Sequence, residues 1–138
     1  MPYYAKVMEK LILTDAAWQQ KLSAEAYRVL RKGGTERAFT GQYHSCDDQG
    51  IYVCAACDNL LFSSAHKFDS ETGWPSFWAP LAPQAVVLKE DLSLALRRIE
   101  VVCARCDSHL GHFFPDEPPP THQRYCINSI ALRLTPKK

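Results

Sequence analysis

Two Cys-x-x-Cys pairs constrain the fold of this sequence more than any other feature. Each pair follows a short apolar run typical of a β-strand, and the pairs are Cys54/Cys57 and Cys103/Cys106. Such a turn can offer two thiolates to one metal ion, and four thiolates complete the closed tetrahedral site of a structural zinc. A thioredoxin-type redox motif is the alternative, but that motif opens a helix after a strand and does not occur in duplicate. The sequence therefore predicts one structural zinc per chain that holds two distant strands together.

The length and net charge of the chain limit the number of domains and the classes of partner. The chain has 138 residues, of which 46% are hydrophobic, enough for one domain with a packed core. Residues 1–15 are expected to form a short N-terminal extension of that domain. A net charge of +1 gives no indication of a nucleic-acid groove or a membrane-binding face, and no apolar run reaches the length of a spanning helix. Residues 1–10 lack the pattern of a signal peptide, so we expect a cytoplasmic monomer with reduced thiols.

The local pattern predicts short helices followed by a β-rich body. Thr14 or Asp15 can cap a first helix, and Ser23 can cap a second helix that Gly33 ends. From residue 50 onward, short apolar runs are separated by turn residues, and the predicted strands cover residues 51–53, 60–62, 86–88, 92–96, 99–102 and 130–134. Five to eight strands, mostly antiparallel, predict a mainly β (β-rich α+β) fold. We expect a small antiparallel β-sandwich or half-barrel of two sheets, clipped by the four-cysteine zinc site, with the helices at one end.

Cys126 stands apart from the paired cysteines. It is flanked by Arg124 and Asn128, and it follows a segment that contains His109 and His112. A cysteine acts as a nucleophile in its thiolate form, and a nearby cation or imidazolium lowers the pKa of the thiol. The alternative is a small buried hydrophobic residue, which is what free cysteines most often are. The local pattern leaves both interpretations open.

An aromatic run lies between the two cysteine pairs, at Gly73-Trp74-Pro75-Ser76-Phe77. Glycine and proline break it, so it is expected to form a shaped loop rather than the interior of a strand. Aromatic rings on such a loop often form one apolar wall of a small-molecule pocket. Alternatively, Trp74 and Phe77 fill the core beneath the loop, and the local sequence does not decide between the two.

A series of short segments occurs here in the same order as in a known family. The segments are Gly34-Thr35-Glu36, Phe39-Thr40-Gly41, Gly50-Ile51-Tyr52-Val53-Cys54, Leu61-Phe62-Ser63-Ser64, Lys67-Phe68-Asp69, Gly73-Trp74-Pro75-Ser76-Phe77, the second cysteine pair, Ser108-His109-Leu110-Gly111-His112-Phe113-Phe114-Pro115-Asp116 and Arg124-Tyr125-Cys126-Ile127-Asn128-Ser129. On these segments the sequence resembles the methionine sulfoxide reductases of the B type, which reduce the R epimer of methionine sulfoxide. The resemblance covers roughly residues 20–135, the expected catalytic core.

The resemblance implies a mechanism. Cys126 would attack the sulfoxide sulfur of methionine-R-sulfoxide, free or in an oxidised protein, and would become a sulfenic acid. The sulfoxide oxygen leaves only after it is protonated, and the two histidines have a suitable intrinsic pKa. Thioredoxin or another thiol reductant would then restore the thiol. The implied site consists of a catalytic group, Cys126, His109, His112, Asn128 and Arg124, and of substrate-binding rings, Trp74 and Phe114.

The sequence also departs from the family pattern. Thr72 stands where many members carry a second, resolving cysteine, and Asp116-Glu117-Pro118 replaces the usual Asp-Gly-Pro. Cys46, in a polar segment, is therefore the candidate resolving cysteine, with direct reduction by an external thiol as the favoured alternative. For the function, the alternative is a non-catalytic, zinc-stabilised β domain that binds a small ligand or partner. A zinc hydrolase or deaminase is disfavoured, because four cysteines leave no open metal position.

Overall fold

Two short helices precede the sheets in the computed structural model, which describes residues 9–91, 98–115 and 119–136. Helix α1 spans Asp15–Lys21 and helix α2 spans Ala24–Lys32. The side-chain oxygens of Thr14 and Ser23 each accept a hydrogen bond from a backbone N–H of the first turn, as expected of N-caps. Gly33 ends α2 in the left-handed conformation, at φ 73°. The two predicted helices and their caps are confirmed.

Nine strands lie within the described residues, and every pair of neighbouring strands runs antiparallel. Their bounds are β1 Gly50–Cys54, β2 Leu60–Ser63, β3 Lys67–Phe68, β4 Ser76–Phe77, β5 Val86–Asp91, β6 Arg98–Cys103, β7 His109–Pro115, β8 Gln123–Ile127 and β9 Leu132–Pro136. One sheet has the order β2-β1-β9, and the other has the order β3-β4-β8-β7-β6-β5. The mainly β fold with two antiparallel sheets is confirmed. The count exceeds the predicted five to eight because β3 and β4 have only two residues each.

Two of the predicted strands do not coincide with an observed one. The predicted strand over residues 92–96 lies outside the described residues. The prediction for residues 130–134 was wrong at its start, because residues Ser129–Ala131 form a 3-10 turn and β9 begins at Leu132. The physical reason is that the carboxylate of Glu36 accepts the backbone N–H groups of Ser129 and Ile130, which are therefore not available to a strand ladder.

Aromatic side chains from both sheets form the centre of the core. Phe77 of β4 is fully buried and stacks on Phe62 of β2, with ring centroids 4.4 Å apart. Tyr52 of β1 meets Phe77 edge-on at 5.3 Å. Such stacked and edge-to-face contacts add to the free energy gained by removing apolar surface from water. In the described part of the chain, neither helix has the length and apolar character needed to span a bilayer.

Candidate active site and metal centre

Cys126 lies near the middle of the six-stranded sheet, on β8. Its cross-strand neighbours are His112 on β7 and Ser76 on β4. Directly paired residues of antiparallel strands point to the same face of the sheet, so these three side chains share one face. The hydroxyl oxygen of Thr72, in the loop before β4, lies 4.0 Å from the Cys126 sulfur. The pairing register therefore places the thiol beside an imidazole and two hydroxyl groups.

The thiol opens onto a cavity of about 120 Å³. The cavity brings together most of the residues that the sequence analysis selected for the site. It is lined by Thr35, Trp74, Arg98, Gly111, His112, Phe114, Cys126, Ile127 and Asn128. Trp74 is half-buried and lines the cavity, whereas Phe77 of the same run lies entirely in the core. The pocket-wall interpretation of the aromatic run therefore applies to Trp74, and the core interpretation applies to Phe77.

Two opposing effects act on the pKa of the Cys126 thiol. Burial raises the pKa above its ordinary value, because an apolar environment disfavours the thiolate. The positive charge of Arg124 opposes this effect, as do hydrogen bonds from Thr72 and Ser76. The Arg124 guanidinium carbon stands 4.2 Å from the centroid of the Phe114 ring. This cation–π contact holds the arginine on β8 beside both the thiol and the aromatic wall.

His112 is hydrogen-bonded to an acidic side chain of β5, which also pairs with a basic side chain of β6. Its Nε2 lies 2.9 Å from a carboxylate oxygen of Asp91, and Arg98 contacts that same oxygen at 3.3 Å. Burial lowers the pKa of His112 below its ordinary value, and the hydrogen bond to Asp91 acts in the opposite direction. Asp91 therefore holds the orientation of the ring through Nε2. The imidazole can act as a proton donor at the cavity wall.

His109 lies next to the cavity but does not line it. It is buried, and its Nδ1 is 2.6 Å from a carboxylate oxygen of Glu100. Its ring meets the His112 ring edge-on, with centroids 5.3 Å apart. Among the described residues, no hydrogen-bond partner is found for its Nε2. The geometry thus gives the two histidines different positions, with His112 in the wall and His109 behind it.

Asn128 is buried and held by main-chain groups on both sides. Its Oδ1 accepts the backbone N–H of Glu36 at 2.9 Å, and its Nδ2 donates to the carbonyl oxygen of Leu110 at 3.0 Å. These two bonds fix which end of the amide is oxygen and which is nitrogen. The remaining Nδ2 hydrogen and one Oδ1 lone pair are what Asn128 can offer to the cavity.

Several site residues were missed by sequence reasoning. Asp91, Arg98 and Glu100 support the histidines, and Glu36 contacts both Asn128 and Trp74. The sequence did contain a signal for two of them. Arg98 and Glu100 are charged residues two positions apart in an otherwise apolar strand, so their side chains share one face of the sheet. Glu36 lies within the Gly34-Thr35-Glu36 segment of the resemblance, but nothing in the local sequence indicates its contacts, which reach 38 residues along the chain to Trp74 and 92 to 94 residues to residues 128–130.

The four paired cysteines form a second, separate cluster. All are buried, and their sulfurs lie within 4.8 Å of one another. Cys54 and Cys106 approach to 3.7 Å, and Cys57 and Cys103 approach to 3.5 Å. A tetrahedral zinc with Zn–S bonds of about 2.3 Å has sulfur–sulfur edges of about 3.8 Å. The donor set and its spacing therefore fit a closed four-coordinate metal ion.

The two cysteine turns have the same backbone form and come from different sheets. Cys54 ends β1 of the small sheet, and Cys103 ends β6 of the large sheet. In each turn the residue after the second cysteine is an aspartate in the left-handed region, Asp58 at φ 65° and Asp107 at φ 62°. Arg105 of the second turn donates to the carbonyl oxygen of Cys57 in the first at 2.6 Å. The four-cysteine cluster thus joins the two sheets, as the sequence predicted.

Cys46 lines a different cavity from Cys126. That second cavity is larger, about 480 Å³, and Trp74 forms part of the wall of both cavities. The Cys46 side chain is half-buried rather than fully exposed, since it packs against the core. All six cysteines are free thiols in this structure.

Comparisons with known proteins identify the family to which this chain belongs. A family model described as the SelR domain matches residues 22–136. A protein of Thiobacillus denitrificans named "Peptide methionine sulfoxide reductase MsrB" is 57% identical over 124 residues, which cover 90% of this chain and 94% of that protein. Proteins of the same name from Pseudomonas syringae pv. syringae and Azotobacter vinelandii are 55% and 52% identical over 130 residues, covering 94% of this chain and 99% and 98% of theirs. The chain therefore belongs to the SelR family, the B type of the methionine sulfoxide reductases.

Proposed function

We propose that this chain reduces methionine-R-sulfoxide, free or within oxidised proteins, with Cys126 as the nucleophile. The observation that supports this proposal best is the position of Cys126, in the wall of a cavity that Trp74 and His112 also line. Attack of the thiolate on the sulfoxide sulfur, with uptake of a proton, transfers the oxygen to Cys126. The substrate sulfur is reduced by two electrons to the thioether, and the cysteine sulfur is oxidised by two electrons to a sulfenic acid.

His112 supplies the proton that the sulfoxide oxygen needs before it can leave. It lines the same cavity as Cys126 and is its cross-strand neighbour. His109 has a supporting role, because it contacts His112 and Glu100 rather than the cavity. Arg124 favours the thiolate, and Asn128 can donate its remaining amide hydrogen to the substrate or to a bound water.

Trp74 and Phe114 form the apolar wall that receives the S-methyl group. The R and S epimers present the methyl group and the oxygen to this wall in opposite senses. A site that pairs an apolar wall with a proton donor discriminates between them, because the wrong epimer places a polar oxygen against the indole ring. Reduction is therefore expected for the R epimer alone.

The direct test is Cys126→Ser, assayed with a racemic methionine sulfoxide derivative and dithiothreitol. The hydroxyl has a pKa far too high for thiolate-like attack, so turnover should vanish while the melting temperature and the metal content stay unchanged. Cys46→Ser is the matched control, because it removes a half-buried thiol that lines the other cavity. Retention of about one-tenth or more of wild-type turnover in Cys126→Ser would remove Cys126 as the nucleophile. A non-catalytic ligand-binding domain is not favoured, and no turnover by the wild-type protein would be the result that supports it.

The oxidised enzyme is restored by an external thiol, thioredoxin or another dithiol. The sulfenic acid condenses with one thiol, releasing water and forming a disulfide, and a second thiol reduces that disulfide. Thr72 lies 4.0 Å from the Cys126 sulfur but carries a hydroxyl, so it cannot serve as this thiol. Cys46 is the candidate resolving cysteine within the chain, but it lines a different cavity from Cys126. Direct reduction of Cys126 is therefore the favoured route.

Disulfide mapping distinguishes the two routes. The enzyme is oxidised with one equivalent of substrate, free thiols are blocked, and the peptides are analysed by mass spectrometry. Direct reduction predicts no Cys46–Cys126 peptide and normal thioredoxin-linked turnover in Cys46→Ser. A stoichiometric Cys46–Cys126 peptide, together with loss of thioredoxin-linked but not dithiothreitol-linked turnover in Cys46→Ser, would identify Cys46 as the resolving cysteine.

The metal in the four-cysteine site is proposed to be zinc, one per chain, held by Cys54, Cys57, Cys103 and Cys106. Zinc is the usual occupant of a closed four-thiolate site that joins two turns, and it supplies folding free energy rather than catalysis. The two cysteines outside the proposed zinc site form no disulfide, which suits a reducing compartment, so the proposed location is the cytoplasm. The proposed working state is the monomer, since the cavity is complete within one chain.

A further inference from the structure

We propose that Glu36 is a positioning residue that sets the spacing between the two sides of the catalytic cavity and so determines how closely the cavity fits an S-methyl group. This inference rests on the proposed function. Glu36 does not line the cavity itself, although its neighbour Thr35 does. It acts through Trp74 on one side and Asn128 on the other.

The backbone of Glu36 is hydrogen-bonded to two residues that line the cavity. Its carbonyl oxygen accepts the indole N–H of Trp74 at 3.0 Å, and its N–H donates to the side-chain oxygen of Asn128 at 2.9 Å. The indole wall and the amide beside Cys126 are therefore tied to a single residue. If the Glu36 backbone is released, the indole and the amide are no longer held relative to each other. The spacing between these two groups therefore depends on where the Glu36 backbone is held.

The carboxylate of Glu36 holds that backbone in place. The residue is 6% exposed, and the two carboxylate oxygens accept the N–H groups of Ser129 and Ile130 at 2.9 Å and 3.0 Å. Glutamate is almost never so buried unless it is paired, and charge-assisted hydrogen bonds are about twice as strong as neutral ones. These bonds attach Glu36 to the turn that directly follows Asn128, which is itself close in sequence to the catalytic cysteine.

The surrounding packing leaves this attachment little freedom. The N–H of Tyr43 donates to the hydroxyl of Ser129 at 3.1 Å. A Cβ atom at Gly41 would overlap both the Glu36 carboxylate and the Ser129 side chain, so only glycine allows this close approach. The carboxylate is thus enclosed in a closely packed junction between residues 36–43 and residues 128–130.

Glu36→Gln tests the proposal while conserving size. Glutamine replaces one acceptor by a donor, which faces a backbone N–H and cannot bond to it. The measurement is the ratio of kcat/KM for N-acetyl-methionine-R-sulfoxide to that for its S-ethyl analogue. This ratio does not depend on the fraction of folded enzyme, so a loss of stability alone leaves it unchanged. One extra methylene in an apolar pocket discriminates by about 10-fold or more, and Glu36→Gln should reduce that preference to within about 3-fold of parity.

Two controls accompany this variant. Glu25→Gln alters an exposed glutamate of α2 that pairs with Arg28, and Leu30→Ala destabilises the same helix through the core. Both should keep the wild-type ratio, even though Leu30→Ala lowers the melting temperature. Nε1–H exchange of Trp74, followed by NMR, should become faster in Glu36→Gln and remain slow in both controls.

The outcomes separate the positioning role from the proposed function. Absence of wild-type turnover would contradict the proposed function, whereas an unchanged ratio in an active Glu36→Gln enzyme would overturn only the positioning role. The positioning role would also be overturned if the wild-type enzyme did not distinguish the S-methyl substrate from its S-ethyl analogue. If Glu36→Gln does not fold, Glu36→Asp is measured in the same way, and failure of both to fold would assign Glu36 to stability alone.

Discussion

The Cys126 thiol experiences burial and a neighbouring positive charge at the same time. Burial raises its pKa, and the Arg124 charge lowers it. We predict that Arg124→Leu raises the pKa of Cys126 further, so that alkylation by iodoacetamide at about pH 8 slows by about 10-fold for each unit of change in pKa. Arg124→Lys retains the charge and should slow alkylation less. The measurement is the alkylation rate of Cys126 against pH in a Cys46→Ser background, and equal rates in all three proteins would show that Arg124 does not act on the thiol.

The imidazole of His112 is expected to contribute one limb of the pH profile. Burial lowers its pKa, so the protonated form predominates only at pH values below its ordinary pKa, and proton donation weakens as the pH rises. His112→Ala should slow single-turnover reduction by roughly 100-fold and remove the limb that falls with rising pH. His109→Ala should cost less, because His109 stands behind His112. Small, equal losses in the two variants would mean that the proton comes from another group.

Residues with proposed chemical roles could be predicted from the sequence where they belong to a recognisable motif. Cys126, His112, Asn128, Trp74 and Phe114 were selected from motifs, and they line one cavity. The supporting residues Asp91, Arg98 and Glu100 lie outside those motifs, and Glu36 and Ser129 lie within them but carry no local sign that they contact each other. Glu36 and Ser129 are 93 residues apart, and their contact depends on how two loops meet rather than on any local pattern.

Elements whose ends are marked by side-chain chemistry were the most predictable. Thr14, Ser23 and Gly33 defined the helices because caps satisfy orphan backbone groups locally. The start of β9 was not predictable, because the apolar alternation of Ile130, Leu132 and Leu134 continues through a turn. A buried carboxylate from a distant segment overrides that alternation.

The loop before β4 gives a prediction about recycling. Thr72 Oγ1 lies 4.0 Å from the Cys126 sulfur, so a thiol at position 72 would be within reach of the sulfenic acid. In Thr72→Cys, the introduced thiol should form a disulfide with Cys126 after one equivalent of substrate, detectable by peptide mass spectrometry. Thr72→Ser is the control, because it keeps a hydroxyl and should form none. Accumulation of the sulfenic acid in Thr72→Cys would show that this loop does not bring the two sulfurs together.

The four-cysteine cluster joins the two sheets of the whole molecule, and a bound metal is expected to supply part of their attachment. Each Cys-x-x-Cys turn ends a strand of a different sheet, so removal of one ligand loosens both turns. Cys57→Ser should lower metal content and reduce the melting temperature by about 10 °C or more, since the binding free energy of a structural metal contributes directly to folding. Cys46→Ser, analysed in parallel by elemental analysis and calorimetry, should change neither quantity. Well-folded, metal-free wild-type protein would contradict this prediction.

Because the two Cys-x-x-Cys turns lie in different parts of the chain, the ribosome makes one before the other. Cys103 follows Cys57 by 46 residues, an interval of roughly 2–10 s at the usual rate of about 5–20 residues per second on the ribosome. During this interval the first pair of thiols exists without the second, and a vicinal pair can close into a disulfide that cannot bind the metal. The nascent protein is therefore most vulnerable to oxidants before it can repair the damage that they cause.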